Sequence, residues 1–149
     1  MKKTITLILA IMMMFSITTT VFAAENIGFE EEVVVTVYNE NEISPRGVSV
    51  DKDFYCAVGD SWQKEFKPSN WFSADHNAFK TKVTNVIGKY KVIINGSNGY
   101  AYESSEYTDV DMIFTTTNAK ANITYTVTIV NTGSSPLSGH VELYSYLNE

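Results

Sequence analysis

Along most of the chain apolar residues recur at every second position, the period of a strand with one buried face, and helical spacing is scarce. The clearest case lies near the carboxyl terminus. In ITYTVTIV, Ile123, Tyr125, Val127 and Ile129 point one way while Thr124, Thr126 and Thr128 point the other. VELYSYL repeats the pattern, with Val141, Leu143 and Leu147 on one face and Glu142, Tyr144 and Tyr146 on the opposite one. The loop NTGSSP, Asn131 to Pro136, separates the two. Nearer the amino terminus VVVTVY, Val33 to Tyr38, is dense in β-branched residues and runs into the turn-forming NENEISPRG.

Between 47 and 58 the residues Val48, Val50, Phe54, Cys56 and Val58 share one parity, and Ser49, Asp51, Asp53 and Tyr55 share the other. Only Lys52 is out of character on the apolar side. After a Gly-Asp break come strand candidates at 62–66, 79–86 and, past Gly88, 90–94. NGSNG, Asn95 to Gly99, holds two Asn-Gly pairs, a strong hairpin signal because those residues tolerate the positive φ of tight turns. YAY and DMIFTTT are further candidates, separated by the polar ESSEYTD. Eight or nine short strands joined by Gly, Asn, Ser and Pro turns predict an all-β fold. The expected form is an antiparallel two-sheet β-sandwich, jelly-roll or immunoglobulin-like, with a closed β-barrel as the alternative.

The first 23 residues follow a different logic. Met1-Lys2-Lys3 precedes an apolar run from Ile5 to Phe15, and small or tolerated residues stand at Val21 and Ala23. This is the layout of a secretory signal peptide cleaved between Ala23 and Ala24, of a bacterial kind. Ser16 to Thr20 ends the run short of the roughly 18–20 residues a membrane span needs. No cysteine lies near the cleavage site to carry a lipid. The chain is therefore read as a signal peptide, 1–23, and one β-sandwich domain, 24–149, secreted to the extracellular space without a stable membrane anchor.

Cleavage would leave nine basic and seventeen acidic residues, nine minus seventeen, a formal charge of −8. That balance opposes nonspecific attraction to nucleic acid and to anionic lipid. Export usually invites paired cysteines, yet Cys56 is the only one, and its parity places it inward as a small buried hydrophobe.

No residue spacing dictates a catalytic chemistry. Outside the signal region stand two histidines, His76 and His140, with no G-x-S-x-G elbow and no glycine-rich phosphate loop. Asp75 and His76 are sequence neighbours, which does not suit a triad. His140 shares the outward face of Glu142. FKTKV and GKYKV read as the solvent faces of two adjacent strands. Calcium is the one cofactor with any pattern behind it: Asp109 and Asp111 sit in a polar loop with Glu103 and Glu106 just upstream, although no EF-hand spacing is present. Solvated acidic turns explain the same residues, and otherwise no cofactor is expected.

The distinctive feature is aromatic content in polar stretches: Trp62, Trp71, Phe72, Tyr100, Tyr102, Tyr107, Tyr144 and Tyr146. Indole and phenol rings stack on the apolar faces of sugars and keep a polar edge in water, so these eight are the candidate ligand-binding residues. The competing role is packing, most directly for KPSNWFSADHNAF, Lys67 to Phe79, where Trp71 and Phe72 could plug the end of the sandwich. The turn residues Pro68 and Asn70 predict a split, with Trp71 largely buried, Phe72 less so, and Asp75 and His76 in solvent. The resulting expectation is a secreted, non-enzymatic binding module that contacts a glycan or an extracellular protein. An exported toxin-like or membrane-active effector is the alternative, and a small secreted hydrolase the third reading.

Overall fold

The computed structural model describes residues 31–39, 48–68 and 77–147, with backbone alone at 48, 77, 146 and 147. The signal-peptide segment, Trp71, Phe72, Asp75 and His76 lie outside the described residues, as does the side chain of Tyr146. Among the described residues ten strands are formed: β1 (Glu32–Val37), β2 (Val48–Cys56), β3 (Ser61–Phe66), β4 (Asn77–Ile87), β5 (Lys89–Gly96), β6 (Ala101–Glu103), β7 (Tyr107–Thr108), β8 (Met112–Thr117), β9 (Tyr125–Asn131) and β10 (Leu137–Leu147). They make two antiparallel five-stranded sheets, β1-β8-β4-β10-β2 and β3-β9-β5-β6, with β7 continuing the β6 edge against β5. This is the two-sheet β-sandwich that the alternation implies, and no barrel closes.

Alternation explains the core directly. From the first sheet, Phe54, Cys56, Phe79, Val83, Phe114, Leu137, Val141 and Leu143 turn inward; from the second, Phe66, Tyr90, Val92, Ile94, Tyr125, Val127 and Ile129 meet them. Each strand contributes one face, and the layer between the sheets removes these side chains from water. Cys56 is fully buried, its Sγ 4.0 Å from the carbonyl of Ile129. Burial, followed by the charge of Asp60, pushes its thiol pKa up.

Two local devices depart from simple alternation. Thr84 pairs with His140 and Ile87 with Ser138, so β4 carries one more residue than β10 across this interval. Asn85 takes up the bulge in the left-handed region, φ 53°, which asparagine tolerates better than most residues. Parity flips there: Phe79, Thr81 and Val83 point inward before the bulge, and Val86 points inward after it, which leaves Ile87 68% exposed. Across the bulge stands Gly139, over which the Phe54 ring lies. A Cβ there would come 2.8 Å from Phe54 Cζ and 2.9 Å from Cε1.

The second device is the corner where the β2–β3 turn meets the β9–β10 turn. Asn131, buried at the end of β9, donates its amide N–H groups to the carbonyls of Cys56 (3.2 Å), Ala57 (3.1 Å) and Ser135 (2.9 Å). Its Oδ1 accepts from the Gly133 N–H at 2.9 Å, and its own backbone N–H donates to Asp60 at 3.1 Å. One side chain thus ties together two of the connections that pass between the sheets.

Candidate functional site

β2 ends one sheet and β3 ends the other, so two strand edges face each other on one flank, joined by the turn at 57–60. Between them lies a groove of about 470 Å³ lined by Ser49, Val50, Asp51, Lys52, Trp62, Gln63 and Lys64. Trp62 is half-buried. Its ring rests on Phe54 at 6.3 Å between centroids, tilted by 44°, and the residue lines the groove.

Lys52 and Lys64 arrive there for the same geometrical reason. Lys52 pairs with Val141 and Lys64 with Val127, both fully buried, so each lysine takes the inward parity of its strand. Each is nevertheless exposed, because an edge strand has no further strand to cover that side. Inward-pointing charge on an edge also opposes pairing with another chain. Neither ammonium has a carboxylate partner among the described residues. Asp51 lines the same groove, but its Oδ1 lies 3.0 Å from His140 Nε2 on the outer face of the sheet.

The remaining aromatic candidates are placed elsewhere. Tyr107 closes the opposite flank, its ring 5.8 Å from Tyr90 in its own sheet and 6.0 Å from Phe114 in the other. Tyr100 packs edge-on to Tyr125 at 6.4 Å, and burial together with the neighbouring Glu31 raises its phenol pKa to about 12. Tyr102 is half-buried against the same core, with its pKa also raised by burial. These three tyrosines pack together with the core and form no exposed row.

Tyr144 corrects the expectation of a surface aromatic. It points outward, opposite Lys80, yet is only 3% exposed. The outward faces of the central strands are themselves covered, as buried Ala78, Lys82 and Ile113 show. Lys82, expected in solvent, instead reaches Glu142 at 3.0 Å and lies 4.5 Å from the Tyr38 ring centroid. Burial, the largest influence, pulls the Lys82 pKa down, but Glu142 and Tyr38 outweigh it and the net shift is upward.

The calcium candidates serve other partners. Glu103 pairs with Lys91 at 2.5 Å, and Glu106 pairs with Lys89, whose hydrogen bond lowers the Glu106 pKa. Asp109 Oδ1 accepts from the Gly88 N–H at 2.7 Å, and Asp111 Oδ1 accepts from Val86 N–H at 3.2 Å. The two aspartates therefore satisfy backbone donors beside the β4 bulge, where the ladder is interrupted. Among the described residues no three His, Cys, Asp or Glu side chains come together as a cation site.

A second concavity, about 560 Å³, lies on the outer face of β4 and β10 and is lined by Tyr38, Lys82, Thr84, Asn85, Asp111, His140 and Glu142. His140 bridges two carboxylates, Nδ1 to Asp53 at 2.8 Å and Nε2 to Asp51 at 3.0 Å. Both ring nitrogens therefore have a carboxylate partner. Sequence reasoning missed Tyr55, which is 68% exposed one rung away, in line with Ser138 and Ile87. Its signal was an aromatic residue on the polar parity of β2. No protein family, no curated protein and no solved structure matches this chain.

Proposed function

We propose that the chain is an exported, non-enzymatic binding module whose β2–β3 groove contacts a glycan through Trp62. The observation that carries this reading is the half-buried indole lining the groove between two open strand edges and packed against Phe54 at a 44° tilt. A rigid indole with one face available is the group that stacks on a sugar ring, and strand edges add unpaired backbone donors and acceptors for hydroxyls. The membrane-active alternative needs a lipid-facing apolar row. The inward rows of β4, β5, β9 and β10 are instead spent in the core. The hydrolase reading loses support because both ring nitrogens of His140 already face carboxylates.

The test is calorimetric titration of the full exported protein with a panel of soluble cell-wall and matrix oligosaccharides, repeated with Trp62→Phe and Trp62→Ala. Binding should be present in the parent and weakened about tenfold or more in both variants, the effect of removing a central aromatic contact. Trp62→Phe should keep its unfolding transition close to that of the parent, which separates lost contact from lost fold. Unchanged affinity in a folded Trp62→Phe protein would refute the assignment.

A further inference from the structure

Resting on that reading, we infer that the groove takes an acidic glycan, with sugar carboxylates held by Lys52 and Lys64 while a ring face lies on Trp62. The register brings Lys52, Lys64 and Trp62 to line the same groove. Three other lysines are paired with carboxylates: Lys82 with Glu142, Lys89 with Glu106 and Lys91 with Glu103. Lys52 and Lys64 have no such partner among the described residues, on a chain whose formal charge is −6. Two unpaired cations at one groove of an acidic protein are a local complement to carboxylate.

Protection of the edges against strand pairing accounts for an inward lysine on each edge, but it does not account for an indole left half-open between them. A peptide adding as a further strand along β2 or β3 would cover the ammonium groups and bury their charge without a counter-ion, a costly arrangement. A carboxylated sugar satisfies both, because its anionic group reaches the ammonium in water while its C–H face meets the indole. The range of action follows from screening. Within about 8–10 Å the lysine pair is what the ligand meets, whereas the net negative charge repels a long polyanion approaching from farther away. Short acidic oligomers are therefore the preferred ligands.

The experiment titrates the full exported protein, in chelator, with short oligomers of galacturonate, alginate and hyaluronan and with their carboxyl-reduced counterparts, at low and high salt. At least one acidic oligomer should bind, its reduced counterpart should bind about tenfold or more weakly, and salt should weaken the acidic complex. Lys52→Gln and Lys64→Gln, checked by thermal unfolding to be folded, should each lose a similar factor for the acidic oligomer only. Equal binding of acidic and reduced oligomers through Trp62 would overturn the inference and leave the glycan reading standing. Binding to none of the three acids, or no effect of either lysine substitution, would also overturn it; binding of an acidic peptide and no sugar would overturn both.

Discussion

Removing the Asn131 side chain should loosen the corner that sets the spacing of β2 and β3, and with it the groove. Its amide has two N–H donors, shared among the carbonyls of Cys56, Ala57 and Ser135, and one oxygen that accepts from Gly133. Three carbonyls on one side and one N–H on the other fix the orientation of the amide. Asn131→Ala loses two donated bonds and one accepted bond, each worth about 0.5–1.5 kcal/mol net, so the expected cost is about 3 kcal/mol. For a domain of this size that lowers the melting temperature by about 10 °C. Asn131→Asp is the sharper test. It keeps the shape and the acceptor for Gly133 but turns a carboxylate oxygen toward three carbonyl oxygens in a site only 4% exposed. It should therefore cost more than alanine despite being closer in shape. Urea unfolding followed by tryptophan fluorescence measures both, read as a shift in midpoint at constant slope. An alanine cost below about 1 kcal/mol, or an aspartate variant more stable than the alanine one, would refute the account of this corner.

Gly139→Ala should destabilise by about 1–3 kcal/mol, because the new methyl collides with Phe54 and lies 3.1 Å from the Thr84 carbonyl; equilibrium unfolding reads it directly. Thr81 and Thr116 are fully buried and their hydroxyls have no hydrogen-bond partner among the described residues. Thr81→Val and Thr116→Val should each raise stability by about 1 kcal/mol, and a loss would show that the hydroxyls are satisfied. Cys56, buried and with a raised thiol pKa, should resist iodoacetamide in the native protein and react on unfolding; rapid native labelling would contradict its inward placement. Stability should fall in alkali. Burial raises the phenol of Tyr100 from 10.0 to about 12 and raises those of Tyr90 and Tyr125 as well. The folded state then holds protons that the unfolded chain releases, so the contribution is complete below pH 10 and is lost as pH rises through the folded values. Urea midpoints at pH 8, 10 and 11 test the sign, and a midpoint that rises with pH would reverse it.

Much of the architecture was already legible in the sequence, because strand alternation is a local property. The two faces of 123–129 and the inward side of 50–56 needed only the period of two, and so did the all-β class. Cys56 followed from the same parity. Where the sequence stopped being informative, the missing quantity was pairing. The bulge at Asn85 flips the parity of β4 and exposes Ile87, which no local pattern marks, since it depends on the count of residues in β10 opposite. Parity assigned Tyr144 and Lys82 to the outward side, but only the packing of the central strands decided that this side is covered. Asp109 and Asp111 resembled cation ligands in sequence, and the fold engaged them with the backbone of a strand more than twenty residues away. The aromatic set was visible as composition, yet its division between a packed flank and an open groove depends on which strands end each sheet. The two lysines beside Trp62 illustrate the same limit: on the chain they look like breaks in an apolar row, and the edge positions of β2 and β3 are what turn them toward solvent and toward each other's groove.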